Sequence, residues 1–239
     1  MRNSGMTPPR IHRVETLDLA VAPWSWPFAQ MRRDEIAAHF AEKQREKPKL
    51  WNGRILLGRA PWFEGTHFSA HYFEADFASM LAWRDWGFPD GEVFNGFGMG
   101  ALRCTDGAFV LGEMGAHTSN AGRIYFPAGT PDFDDVSGDT LDIAGSVARE
   151  LEEETGLTPA DYRAAPHWDC VVSAHSIALM RTLQLDMAGE EVRARIEANL
   201  SRQDHPELAA VHLVRSRRDF TSSMPLFVTA FLEMQFDDS

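Results

Sequence analysis

Apolar and polar positions alternate at two periods along this chain, and the periods sort it into elements. A strand-like run over residues 14–21 comes first. Residues 31–45 take helical spacing, with Ile36 and Phe40 four apart, and Pro48 forbids continuation. Segment 50–57, with the turn signal Asn52-Gly53, leads to a strand over 67–73 and a short helix over 76–83. Five glycines and a proline then crowd residues 87–100. That shift in composition predicts a boundary between two parts, residues 1–95 and 96–239.

The second part carries clearer signals. Runs 101–105 and 108–114 flank Asp106-Gly107, a two-residue hairpin cue. After a polar loop over 115–122, a strand over 123–126 ends at Pro127-Ala128-Gly129. An acidic, glycine-containing band over 132–139 precedes the best helix, 141–155, with Thr140 or Asp139 as N-cap and Gly156 placed for a left-handed C-terminal residue. One or two strands over 173–186, a helix over 190–200, a strand over 209–214 and an amphipathic helix over 224–234 complete the pattern. Strands mixed with well-separated helices predict an α+β fold in an α/β/α layered arrangement. Six of the seven tryptophans (Trp24, Trp26, Trp51, Trp62, Trp83 and Trp86) precede residue 90, so the first part is expected to pack as a small aromatic-rich subdomain.

Composition narrows the function. With 23 Lys+Arg against 35 Asp+Glu the net charge is −12, and 44% of the 239 residues are hydrophobic, enough for a real core. No basic stripe overrides that charge, so nucleic acid is not expected as a partner. No apolar stretch approaches the roughly 20 residues of a membrane span, so no membrane partner is expected either. Cys104 and Cys170 alone make no disulfide framework, and a cytoplasmic location is the expectation.

The helix over 141–155 poses an electrostatic problem. Glu150, Glu152, Glu153 and Glu154 occupy its last two turns, where the helix dipole is already negative. Glu150 and Glu154 are a like-charged i,i+4 pair. At about 100° per residue, Glu150, Glu153 and Glu154 share one arc of roughly 100°, beside the apolar arc of Ala144, Val147, Ala148 and Leu151, while Glu152 points elsewhere. An oxygen-only, negatively charged array on a rigid element suits a hard divalent cation, Mg²⁺ or Mn²⁺, that also binds substrate phosphates. The competing reading is a solvated acidic helix end.

The residues Arg149, Glu150, Leu151, Glu153, Glu154, Gly156 and Leu157 match R-E-U-x-E-E-x-G-U, with U aliphatic, at every specified position. This is the second half of the box of the Nudix hydrolases, which the segment resembles. Phe126-Pro127-Ala128-Gly129 resembles the F-P-G-G that opens it, and the resemblance covers about residues 100–215. The first half, G-x5-E-x7-R, is not matched. Leu141 stands eight before Arg149 and Asp135 fourteen before, residues 132–138 read as an insertion, and Asp139 or Asp142 is expected to replace the missing Glu.

The resemblance implies a mixed sheet between helices and Mg²⁺-dependent cleavage of a nucleoside diphosphate linked to another group. By position, Glu150, Glu153, Glu154 and the Gly129 carbonyl would be metal ligands, and Arg149 would orient the glutamates. Glu207, just before a strand, is the candidate general base, with His175 and Glu153 as alternatives. Thr118 and Asn120, in the polar loop, are candidates for the base or sugar of the substrate, and Arg123 beside it for its phosphates. Arg181, Arg215, Arg217 and Arg218 are further candidates for phosphate.

Residues 46–53 (Glu46-Lys47-Pro48-Lys49-Leu50-Trp51-Asn52-Gly53) resemble the N-terminal region of UDP-sugar diphosphatases, and a nucleotide sugar is the expected substrate. Phe126-Pro127-Ala128-Gly129 with Asp132 and Asp135 resembles coenzyme A diphosphatases instead, which keeps coenzyme A or a dinucleotide as the alternative. A nucleotide-sensing module without turnover is the alternative from another class, although such modules typically lose a box glutamate and all three are present. The resemblance also implies a homodimer.

Overall fold

The computed structural model describes residues 8–237. Strands β1 (Arg10–Val14) and β2 (Thr16–Val21) are separated by Glu15, where the chain passes from one part of the sheet to another. A short helix α1 (Pro27–Met31) precedes α2 (Arg33–Glu46), which buries Ile36 and Phe40 and stops ahead of Pro48. Then come β3 (Arg54–Glu64), β4 (His67–Asp76) and α3 (Phe77–Asp85), capped by the Asp76 carboxylate accepting from the Ser79 N–H. Asn52 is not a hairpin turn residue. Its side-chain oxygen accepts from the Ala78 N–H at 2.7 Å and so also serves the start of α3.

The glycine-rich run expected as a boundary is a strand, β5 (Val93–Arg103), and the position between 95 and 96 falls inside it. A Cβ at Gly98 would stand 2.5 Å from Val147 and 3.0 Å from Ile143, so its glycine lets a helix pack directly on the strand. β5 pairs with β6 (Phe109–Met114) through the Asp106-Gly107 turn, as the sequence predicts. β7 (Ile124–Tyr125) follows. The acidic band folds as a 3-10 turn at Phe133–Asp135 and a small hairpin, β8 (Val136–Ser137) and β9 (Thr140–Leu141).

Because β9 pairs with β2, Asp139 and Thr140 are spent on the sheet edge, and the cap of α4 (Ile143–Thr155) is Asp142, accepting from Gly145 at 2.9 Å. Gly156 closes this helix in the left-handed conformation. The remaining elements are β10 (Tyr162–Ala164), β11 (Trp168–Val172), β12 (Ser176–Leu185), α5 (Gly189–Leu200), β13 (Leu208–Val214) and α6 (Leu226–Asp237).

Among the described residues the strands join in one mixed sheet with the path β1-β11-β12-β5-β3-β4-β2-β9-β8, and β6 carries β13 and β7 beside β5. β12 runs parallel to β5 and β2 parallel to β4, whereas β3 runs antiparallel to β4. Side chains alternate across β5: Gly98 meets α4, while Phe97 meets Phe227 of α6. Helices therefore cover both faces. The fold is α+β with a helix–sheet–helix layering.

The same alternation separates two cores on β3 and β4. Leu56, Phe68, Ala70 and Tyr72 enter the main core. Ile55, Leu57, Phe73 and Ala75 face the other way, into a cluster with Trp26, Phe28, Ile36, Phe40 and Trp83. The early tryptophans do not all join it, since Trp51 and Trp62 are largely exposed. Cys104 and Cys170 are buried free thiols. Among the described residues no helix is long and apolar enough to cross a membrane.

Candidate active site

Helix α4 presents its carboxylates differently from a simple projection. Ile143, Val147, Leu151 and Glu154 line its buried side, and Ala144, expected there, is exposed. Glu154 continues the apolar row at i+3 from Leu151, so its carboxylate is only 4% exposed. Neither of its oxygens closes a hydrogen bond. Burial pushes this carboxyl up to about 9, Glu150, Glu207 and Glu153 push the same way, and the nearby Ala128 N–H pulls weakly against them.

Glu150 is half-buried beside it and is raised to about 7, chiefly by burial, with Arg149 opposing and Glu153, Asp135 and Glu207 adding to the rise. Glu153 is the most exposed of the three, at 62% of its side chain, and its backbone carbonyl accepts from Gln203. The three glutamates predicted from spacing thus stand in a gradient from solvent to core.

Arg149 holds the group from one side. Its guanidinium lies 2.9 Å from Glu150 and 3.6 Å from Glu153, and it donates to both oxygens of Asp135 at 3.0 and 3.2 Å. Burial opposes its charge, yet Asp135, Glu150 and Glu153 hold it more firmly ionised than usual. Asp135, with a side chain 2% exposed, is therefore the carboxylate partner of Arg149. Its other oxygen contact is with the Asp132 N–H, in a reciprocal capping box that fixes the 3-10 turn. The sequence placed Asp135 fourteen before Arg149 but assigned it to an insertion.

The loop after β7 closes the opposite side. A Cβ at Gly129 would stand 2.3 Å from the Glu150 carboxylate carbon, so any larger residue here would push that carboxylate aside. Glu207 is exposed just before β13, and its charge is felt at Glu150, Glu154 and Tyr125 alike, which places it beside the cluster. Tyr125, 8% exposed, is a residue that motif spacing missed. Burial raises its hydroxyl to about 12, with Glu154, Glu207 and Glu150 contributing and the Asn120 hydrogen bond opposing. Its position on the strand leading into Phe126-Pro127-Ala128-Gly129 was the available signal.

The remaining candidates divide. Asn120 reaches the site's edge, donating to the Tyr125 hydroxyl at 3.1 Å. The Thr118 hydroxyl donates to the Gly115 carbonyl within its own loop, and Arg123 is exposed. His175 stacks on Phe88 at 4.2 Å beside Trp83, an aromatic setting at the Asn95 end of β5, and none of its contacts is with the carboxylates. Arg181 donates to Ala165 and lies over Trp168, Arg215 pairs with Asp106 and Glu190, and Arg217 pairs with Asp237. These arginines are engaged away from the cluster. A concavity of about 520 Å³ also lies elsewhere, between residues 21–25 and the β8–β9 hairpin.

The donor set fits a hard divalent cation. Unpartnered buried carboxylate oxygens and a neighbouring like-charged carboxylate both favour a positive charge between them. Among the described residues no group of three or more acidic, His or Cys side chains is gathered closely enough to hold a metal ion as it stands. The exposed Glu153 leaves that side open.

No family model matches the chain, and no curated protein matches it. Among solved structures the chain is similar to the MutT protein from Methanosarcina mazei Go1, at 16% identity over 61% of this chain and 94% of that one, with a TM-score of 0.35. It is similar to RenU, a Nudix hydrolase from M. Smegmatis, at 10% identity over 59% and 84%, TM-score 0.38. A third likeness is to a bifunctional NMN adenylyltransferase/ADP ribose pyrophosphatase from Francisella tularensis complexed with AMP and a Mn ion, at 15% identity over 66% and 46%, TM-score 0.42. Similarity at this level carries no functional argument.

Proposed function

We propose that the protein is a hydrolase of the Nudix type that cleaves the diphosphate linkage of a nucleoside diphosphate–X substrate, with a nucleotide sugar as the preferred substrate. One observation carries the reading: the carboxylate of Glu154, buried without a partner beside Glu150 and Glu207, sits at the end of a helix whose sequence matches the Nudix pattern. A carboxylate so placed is costly to the fold unless a cation accompanies it. A merely solvated acidic helix end would leave it in water.

In this reading Glu150, Glu153, Glu154 and the Gly129 carbonyl hold Mg²⁺ or Mn²⁺, and Arg149, braced by Asp135, orients Glu150 and Glu153. The cation, when bound, neutralises phosphate charge and makes a water acidic enough to act near neutral pH. Glu207 accepts the proton of the attacking water. The water oxygen attacks one phosphorus, the bridging P–O bond breaks, and two phosphorylated products leave. Asn120 and Thr118 serve the base or sugar, and Arg123 the phosphates. The same reading carries with it a small nucleotide-derived substrate, with neither nucleic acid nor membrane as partner, a cytoplasmic location and a homodimer, none of which the α4 geometry itself decides.

The test is a panel of nucleotide sugars, dinucleotides and coenzyme A derivatives incubated with Mg²⁺, with the products identified. Two phosphorylated fragments from one class establish the activity and its substrate. Tight nucleotide binding with no cleavage would instead establish a sensor.

A further inference from the structure

The polar loop over residues 115–122 closes back on β6, its Gly122 N–H donating to the Met114 carbonyl at 2.9 Å, and three further bonds tie it to its surroundings. On the catalytic side, its Asn120 amide donates to the Tyr125 hydroxyl at 3.1 Å, and Tyr125 faces the carboxylates. At its start the Gly115 N–H donates to the Glu207 carbonyl at 2.7 Å. The third anchor comes from the other core: the ammonium of Lys47, the residue that ends α2, donates to the Thr118 carbonyl at 2.6 Å. A bond from a charged donor is short and strong, and this one is half-buried.

Lys47 is itself held in place. Its N–H donates to Lys43 and its carbonyl accepts from Leu50, both at 2.9 Å, while the Gln44 amide donates to the Leu50 carbonyl at 2.9 Å. Pro48 stops the helix at this point. The Thr118 N–H and hydroxyl both bond the Gly115 carbonyl, so a pull on Thr118 is passed to the residue that touches Glu207. The loop is a cross-linked piece, and its outer edge is tied to the aromatic-rich unit by one side chain.

We infer that Lys47 is a positioning residue, through which the N-terminal unit holds the substrate loop in its binding geometry; this rests on the phosphoanhydride reading of the site. Lys47 touches no candidate catalytic group. Its loss loosens the loop while Glu207 keeps its bond to Gly115 and the α4 carboxylates keep theirs to Arg149. Binding suffers and the chemical step does not. The aromatic cluster that α2 joins is then a working part of the site.

The experiment compares wild type, Lys47→Met and Lys47→Arg by amide hydrogen exchange and by steady-state kinetics on the best substrate of the panel. In Lys47→Met, exchange over residues 115–122 rises by at least about tenfold with the rest of the protein unchanged, KM rises about tenfold and kcat stays within about threefold. Lys47→Arg, which keeps a charged donor, recovers most of both. Unchanged loop exchange overturns the inference, as does faster exchange with an unaltered KM, or a kcat that falls as far as KM rises. A wild-type protein that cleaves nothing on the panel overturns the catalytic reading and the role of Lys47 in it, whereas the other failures leave the activity standing.

Discussion

The carboxylate end of α4 and the aromatic cluster around Trp83 are built on opposite principles. Trp83 is 1% exposed, meets Trp26 and Phe88 edge-on and satisfies its indole N–H on the Asp90 carbonyl at 2.9 Å. Each of its groups is content in the folded state. Glu154 is nearly as buried, but its oxygens are unsatisfied and its neighbours carry the same charge. The first region stabilises the fold without a ligand; the second is costly to it, and in the proposed reading a bound cation offsets that cost. Sites of chemistry stand out because they break the rule that the rest of the molecule keeps.

The largest effect that tests this contrast is on turnover. Glu153→Gln and Glu154→Gln should each lower kcat on the best phosphoanhydride substrate by about a thousandfold or more, with circular dichroism unchanged. Losses below tenfold in both would remove the mechanism. In the other region, Trp83→Ala should cost about 3–5 kcal/mol in urea unfolding, yet keep kcat/KM within about threefold where the protein remains folded. Equal damage to activity would erase the distinction between the regions.

Arg149→Ala should lower both properties. It strands the buried Asp135, at about 3–5 kcal/mol, and releases Glu150 and Glu153, so stability and turnover fall together.

Acidity sharpens the comparison further. The folded Glu154 carboxyl is raised from an ordinary 4.5 to about 9, so its folded form holds a proton that the unfolded chain gives up. Without added metal, its contribution to stability is intact below about 4.5, falls as pH rises and is fully lost above about 9. Glu154→Leu should remove that slope and raise Tm most at the alkaline end. Adding Mg²⁺ or Mn²⁺ to the native protein should raise Tm more at pH 8 than at pH 6, with protons released on binding. A metal effect that is flat with pH would show that these carboxyls are not the ligands.

The smallest expected change is at the site's edge. Tyr125→Phe deletes the acceptor of Asn120 and should move KM by a few-fold, with kcat nearly constant.

Much of this was legible along the chain because local rules governed it. The helical period and Gly156 predicted α4, Asp106-Gly107 predicted the β5–β6 turn, and one motif gathered Arg149, Glu150, Glu153 and Glu154 on adjacent turns. What resisted reading depended on partners distant in sequence. Glycines that looked like a linker form β5, because a helix some fifty positions later needs a strand with no side chain at Gly98. Asp135 looked like part of an insertion until the 3-10 turn carried it to Arg149.

Sequence alone therefore set the charge, the main helices and the carboxylate row of α4, all of which follow from spacing within a few turns of chain. Only the tertiary structure decided which carboxylate enters the core, which acid meets Arg149, and that Lys47 reaches the loop beside Glu207. Those are matters of burial and of approach between distant segments, and no local periodicity encodes them.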